Sequence, residues 1–189
     1  MRINHWIFLM LLTAVPVSLS AQEQAKCVVT TESGSEITGY IKNYHSSYLI
    51  TGGFTLRKGD RKMKIYPETT KKVVVNDTIV YGAIPFTTGH KSFMQLLEAG
   101  TPLNLYRHSI RLTGNMPNTG FTVWIDHKYF IDNGKEALYA KEKKVRKEPE
   151  LFFPGGSPTF LRNIADTKRD DIDDHLAEWV REYNASFKD

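Results

Sequence analysis

The sequence contains a single cysteine, Cys27, among 189 residues. One thiol cannot form an internal disulfide, so the fold has to be held together by its hydrophobic core. Because free cysteine is among the most buried residue types, we expect Cys27 to lie inside that core. The alternatives are an intermolecular bridge and a reactive thiol, which a neighbouring ammonium such as that of Lys26 would favour.

Recognisable catalytic and phosphate-binding motifs are also missing. No serine stands in a Gly-x-Ser-x-Gly elbow, and no histidine has a signature context. Neither glycine pair, Gly52-Gly53 or Gly155-Gly156, follows a strand and opens a helix as a phosphate-cradling loop does. We therefore predict no cofactor for this chain.

Long apolar runs are absent after the amino terminus, where residues 1–21 read as a secretory signal peptide. Arg2 precedes an apolar run from Trp6 to Val15, Pro16 ends it, and small residues follow up to Ala21. The alternative is an uncleaved anchor or a buried helix, although the run is shorter than the roughly 20 residues that span a bilayer. Lys26 before Cys27 does not fit a lipidation site. We expect export to the periplasm or the extracellular space, without a transmembrane segment after cleavage.

The composition favours a folded, soluble domain. Hydrophobic residues make up 41% of the chain and aromatic residues 12%, which is enough for a core. The formal net charge of +4 is mild and its lysines are interspersed with acids, so it indicates solubility more than a polyanionic partner. Nucleic acid is a poor candidate partner for an exported protein.

Strand patterns fill most of the chain. Hairpins are predicted around Gly34, around Asn76-Asp77, and around Asn133-Gly134, since these residues tolerate the positive φ of tight turns. A further strand is predicted at residues 47–51. In the run 121–126, Phe121, Val123 and Ile125 alternate with Thr122, Trp124 and Asp126, so the two sets lie on opposite pleat faces.

Helical patterns occur in three places. The cluster Phe93, Met94, Leu96 and Leu97, followed by Gly100, predicts a short helix at residues 90–99. Ser157-Pro158 is typical of a helix start. From about residue 170, a longer helix is predicted whose single apolar face consists of Ile172, Leu176, Trp179, Val180 and Tyr183.

The predicted fold class is therefore α+β, with an antiparallel β-meander or small barrel followed by a second β unit and C-terminal helices. We expect a single β-rich domain at residues 22–189. Two small abutting β units, at about 26–86 and 103–140 with helices at 157–186, remain the alternative.

Two sets of side chains are candidate sites. Asp171 and His175, at i and i+4 on one helical face, could bind a divalent metal; alternatively the aspartates stabilise the helix amino terminus and His175 is solvated. Aromatic side chains in strands are the usual platform for sugar rings or extended peptides, although they also fill β cores. The candidate ligand-binding residues are Tyr40, Tyr44, Trp124 and Tyr129.

One basic run is present, between residues 141 and 147. It could bind lipopolysaccharide, anionic lipid or acidic glycan. Glu142, Glu148 and Glu150 dilute its charge, however, and a solvated linker or hairpin tail is the expected interpretation. Its cations are Lys141, Lys143, Lys144, Arg146 and Lys147.

The order of short motifs resembles that of exported bacterial proteins of unknown function. Gly39-Tyr40-Ile41, Tyr66-Pro67, Leu103-Asn104-Leu105-Tyr106 and Tyr183-Asn184 carry the resemblance. It implies export and a bacterial envelope, with no activity and no site residues to transfer.

Two functions follow as hypotheses. The first is a non-catalytic binding or interaction module of the bacterial cell envelope, with an envelope protein or a glycan as partner, because no catalytic signature is present. The second is a hydrolytic or metal-dependent secreted enzyme whose histidines and carboxylates come together only in the fold.

Overall fold

Ten antiparallel strands form one continuous sheet in the computed structural model, in the order β10-β9-β8-β7-β6-β5-β1-β2-β3-β4. The structure describes residues 24–42, 44, 51–87, 89–116 and 120–187. The predicted signal peptide and nearly all of the predicted strand at 47–51 lie outside the described residues. The strands are β1 (Gln24–Thr31), β2 (Glu36–Lys42), β3 (Phe54–Lys58), β4 (Arg61–Ile65), β5 (Thr70–Val75), β6 (Ile79–Thr87), β7 (His90–Glu98), β8 (Asn104–Met116), β9 (Gly120–Asp132) and β10 (Ala137–Tyr139).

Four α-helices follow the sheet. They are α1 (Glu142–Lys147), α2 (Pro149–Phe152), α3 (Pro158–Asp166) and α4 (Ile172–Ala185), with 3₁₀ turns at Pro67–Thr69 and Arg169–Asp171. Ser157 accepts a hydrogen bond from the Phe160 amide at 3.2 Å, so the predicted start of α3 is confirmed. The described residues contain no helix that is both long and apolar enough to cross a membrane.

The predicted hairpins are confirmed at their turns. Asn76 and Asp77 have φ of 50° and 59°, and the strands on either side of them, β5 and β6, pair in register. Gly134 has φ of 80° between β9 and β10. These residues reverse the chain because Asn, Asp and Gly adopt the left-handed region at low cost.

Strands β1–β7 curl around one face of the sheet, which we call the front face. The ring centroids of Phe54 in β3 and Phe93 in β7 are 5.8 Å apart, although four strands lie between β3 and β7 in the sheet. The Phe93 amide donates to the Thr51 carbonyl at 2.9 Å and so joins the two ends of the curl. Cys27 is fully buried inside, as predicted, and burial raises its pKa to about 12. The enclosed core consists of Ala25, Cys27, Val29, Ile41, Tyr44, Phe54, Leu56, Ile65, Val73, Val75, Tyr81 and Phe93.

The prediction of a helix at residues 90–99 is wrong, because this segment is strand β7. It pairs with β6 along one edge and with β8 along part of the other. Phe93 lies in the front-face core, while Met94 is buried on the opposite face, the back face, with Ile84 and Phe130. A strand buried on both faces loses its alternation, so its apolar run resembles a helical face in the sequence.

The helices cover the front face at the carboxyl-terminal part of the sheet. All five residues of the predicted apolar face of α4 are buried there, against Leu103, Leu105 and Ile131. Asn184 fixes the end of α4: its Oδ1 accepts from the Leu103 amide at 2.9 Å, and its Nδ2 donates to the Leu103 carbonyl at 2.8 Å.

The charged segment 141–150 is not a linker. It forms α1 and the first two residues of α2, and Val145 in α1 and Phe152 at the end of α2 are buried in the core formed by the helices. The β-rich fold class with C-terminal helices is thus confirmed. One sheet runs through both predicted β units, and the predicted domain boundaries stay a prediction.

Candidate binding surface on the β8–β9 hairpin

Strands β8 and β9 pair with each other along 13 residues each, but their neighbours accompany them only part of the way. β7 pairs with β8 no further than Arg107, and β10 pairs with β9 only at residues 130–132. We call residues 104–109 and 127–132 the base, and residues 110–116 and 120–126 the arm. Within the described residues, the arm is a two-stranded ribbon without a third strand.

The arm exposes hydrophobic side chains on both faces. Phe121, Val123 and Ile125 lie on the front face, and Leu112 and Trp124 on the back. Phe121 is 69% exposed and Trp124 is 41% exposed, whereas Leu105 and Ile131 in the base are each 1% exposed. Contiguous exposed apolar surface on a soluble protein is typical of an interaction site.

A glycine shapes the back face of the arm. A Cβ atom built at Gly114 would lie 3.1 Å from the Trp124 ring, so the missing side chain lets the indole lie against β8. The two ribbon segments carry one arginine, Arg111, and one carboxylate, Asp126. The surface of the arm is therefore almost uncharged and has a fixed aromatic contact point.

A buried histidine marks the junction between base and arm on the back face. Ser92 Oγ donates to the Thr51 carbonyl at 2.7 Å, so it accepts from His108 Nε2 at 2.9 Å. The Nδ1 atom of His108 then has no hydrogen-bond partner, and the ring lies 4.5 Å from that of Phe86. Burial, together with the nearby Lys128, lowers the pKa of His108, so it is neutral at pH 7.

The second histidine of this region lies on the opposite face. His127 Nδ1 is 2.9 Å from Ser109 Oγ, and partial burial and Arg107 lower the pKa of His127. Ser92 and Ser109 are both buried, and neither histidine is hydrogen-bonded to a carboxylate among the described residues. The two Ser-His pairs therefore form no nucleophile-base-orienter arrangement that a substrate could reach.

The candidate metal ligands lie on the α4 side of the molecule. Asp171 is exposed in the 3₁₀ turn before α4. His175 stacks on Trp179 at 5.5 Å between ring centroids, and its Nδ1 is 3.4 Å from Glu178 Oε2. In the part of the chain that the structure describes, no three His, Cys, Asp or Glu residues are grouped so that they could hold a metal ion. The metal site stays a prediction.

The predicted aromatic residues do not share one surface. Tyr40 is exposed on β2, Tyr44 is buried with its hydroxyl 2.7 Å from that of Tyr81, and Tyr129 is half-buried in the base. Only Trp124 lies on the arm. The alternation in the sequence predicts that Phe121, Val123 and Ile125 share one strand face. It does not predict that this face is exposed, because exposure depends on where the distant C-terminal helices pack.

No protein-family model, curated protein or solved structure matches this chain. The resemblance to exported bacterial proteins of unknown function stays a prediction.

Proposed function

We propose that this chain is an exported, non-catalytic binding module of the bacterial cell envelope, and that it binds a partner protein along the β8–β9 arm. The observation that carries the proposal is the arm itself. It presents five large exposed hydrophobic side chains on a ribbon that no other described strand extends. The ribbon is held at its base by a fully packed core.

The chemistry of the arm favours a protein over a glycan. Sugar rings are bound by flat aromatic faces combined with hydrogen-bonding groups. Three of the five exposed hydrophobic residues are aliphatic, namely Leu112, Val123 and Ile125. Aliphatic side chains at alternate positions are instead suited to the apolar side chains of another extended chain.

Strand addition is the binding mode that the geometry favours. The outer edges of β8 and β9 in the arm have no neighbouring strand among the described residues. An extended segment of the partner can pair with such an edge through main-chain hydrogen bonds, while its side chains contact those of the arm. The expected partner segment is uncharged and carries apolar residues at alternate positions.

Photo-cross-linking in the native cells tests the arm directly. A photoreactive amino acid replaces Thr113, which is exposed on the front face of the arm, and a second version carries it at Tyr66, which is 52% exposed outside the arm. We expect a discrete adduct from position 113 and none from position 66. Combining the position 113 probe with Phe121→Ser and Val123→Ser should abolish the adduct, since these substitutions remove the apolar contact without touching the core.

An adduct that survives the two serine substitutions, or equal adducts from both positions, would contradict the proposal. An adduct of twice the mass of the chain would identify a second copy as the occupant and replace the envelope partner. Export is tested separately by cell fractionation and the mass of the protein: we expect it outside the cytoplasm without residues 1–21. The full-length chain in the cytoplasm would contradict the envelope assignment.

A further inference from the structure

A cationic groove lies on the helical layer, which packs on the base and not on the arm. It runs between α1, the end of α3 and the 3₁₀ turn before α4, and its volume is about 390 Å³. Its lining consists of Lys143, Arg146, Lys147, Ala165 and Arg169. It therefore gathers four cations and no carboxylate.

No carboxylate among the described residues forms an ion pair with any of the four cations of this groove. Elsewhere on the surface, Lys26 pairs with Asp77 at 3.0 Å and Lys91 with Glu32 at 2.6 Å. Like charges at i, i+3 and i, i+4, as in Lys143, Arg146 and Lys147, oppose helix formation. An anion bound between them would remove that repulsion.

The groove is held in place by packing. Val145, between the cations on α1, is fully buried in the helical core. Arg146 Nε donates to the Ala165 carbonyl at 3.2 Å, which joins α1 to α3 within the lining of the groove. The cations are thus carried on fixed helices, and a ligand need not organise the site before it binds.

A second depression of about 200 Å³ adjoins the groove. Lys143 and Lys147 line both, and the second is completed by Lys141, Lys144 and Glu148. Arginine guanidinium groups match the geometry of phosphate oxygens, and lysine contributes as a point charge. Two adjoining cationic depressions, one with two arginines, fit two neighbouring phosphate groups better than one.

We propose that this cationic groove binds a ligand carrying two phosphate groups, with Lys143 and Lys147 between them. The ligand is either a soluble bisphosphate or a lipid headgroup. The inference does not depend on the arm, because no arm residue lines the groove. Either proposal can fail without the other.

Binding of the full exported chain is measured at low ionic strength, where exposed charges are least screened. Inorganic pyrophosphate and orthophosphate are titrated by calorimetry, and vesicles of phosphatidylcholine with and without cardiolipin are tested by co-sedimentation. We expect pyrophosphate to bind more tightly than orthophosphate, or cardiolipin vesicles to bind where pure phosphatidylcholine does not. The first result indicates a soluble ligand and the second a lipid headgroup.

The decisive variant is Lys143→Glu with Lys147→Glu. Its matched control is Lys62→Glu with Lys64→Glu, which makes the same charge change in another basic depression, beside β3 and β4. All four lysines are exposed, so both variants should fold and melt like the unaltered chain. We expect the first to weaken binding at least about tenfold and the control to leave it nearly unchanged. Equal losses in both variants, or no binding of either probe by the unaltered chain, would overturn the proposal.

Discussion

The base and the arm of the β8–β9 hairpin consist of the same two strands, with the same alternation of side chains, in opposite environments. On the front face of the base, Leu105 and Ile131 are buried under α4. On the front face of the arm, Val123 and Ile125 are 40% and 37% exposed. Alternation in the sequence thus indicates a strand but does not indicate which part of it is covered.

The base and the arm differ because α4, which is distant in the sequence, packs on the base and not on the arm. Leu176 and Val180 of α4 lie about 70 residues after Leu105 in the chain, and Asn184 joins α4 to the backbone of Leu103. The apolar side chains of the base stabilise the fold because α4 removes them from water. Those of the arm have no such partner in the described chain, and they remain available for binding.

Truncation of an apolar side chain should affect the two parts very differently. Leu105→Ala should lower the free energy of unfolding by about 2–5 kcal/mol, because it leaves a cavity beneath α4. Val123→Ala on the arm should change it by no more than about 0.5 kcal/mol. Denaturant unfolding of the two variants measures both. Similar losses would show that the arm is as well packed as the base.

Loss of the hydrogen bonds that Asn184 of α4 forms with the backbone of Leu103 should have the next largest effect on stability. Asn184→Ala should cost about 1–3 kcal/mol, since it leaves the buried amide and carbonyl of Leu103 without partners. Asn163→Ala, at an exposed position on α3, is the matched control and should be almost neutral. Thermal melting of the pair tests this. A control as costly as Asn184→Ala would mean that the link to Leu103 contributes nothing specific.

The ionised carboxylate of Asp173, in the first turn of α4, should lower the stability of the fold at neutral pH. Burial, together with Glu142 and Asp174, raises its pKa from 3.8 to about 6. The folded state therefore binds this proton more tightly than the unfolded state. The contribution of Asp173 to the stability of the fold is thus lost as the pH rises from about 4 to above 6. Because Asp173 is partly exposed, Asp173→Asn should stabilise by no more than about 1 kcal/mol at pH 7.5.

The gain from Asp173→Asn should shrink as the pH falls toward 4, where the aspartate of the unaltered chain is protonated as well. Asp171→Asn, at an exposed position at the same end of the helix, should show no comparable gain. Melting temperatures at several pH values measure both variants. A gain that is independent of pH would contradict the titration of Asp173.

The titration of His108, at the junction of base and arm, should not affect the free energy of unfolding at pH 7.5. It should lower this free energy progressively as the pH falls below about 6.5. The folded pKa of His108 is lowered, so the unfolded state takes up the proton first, at about 6.5. The stability it contributes is fully present above that pH and is lost as the pH falls below it. His108→Gln should reduce the fall in stability below pH 6.5, whereas His90→Gln, on an exposed residue, should retain it. Identical slopes in both variants would contradict the account.

Local features of the fold could be predicted where the sequence itself contains the physical cause. The turn at Asn76-Asp77 and the apolar face of α4 depend on residues within a few positions of one another, and both are confirmed. Strand β7 was missed because burial on both faces removes the period of two that identifies a strand.

The two candidate surfaces could not be predicted from patterns of neighbouring residues in the sequence. Trp124 was predicted, but its neighbours Phe121 and Ile125 are binding candidates only because no helix reaches them. The basic run is visible in the sequence, yet the groove also needs Arg169, which is more than 20 residues away in the chain. Both surfaces depend on which distant segments pack together and which do not.

Hydrogen exchange of the purified protein, free in solution, tests the contrast between base and arm most directly. We expect amides at residues 105–107 and 130–132 to exchange only through global unfolding, because they lie in a covered sheet with neighbouring strands on both sides. Amides of the arm, residues 110–116 and 120–126, should exchange much faster, because a two-stranded ribbon is marginally stable in water. Equal protection of arm and base would mean that the arm is already covered, and would contradict its assignment as the binding surface.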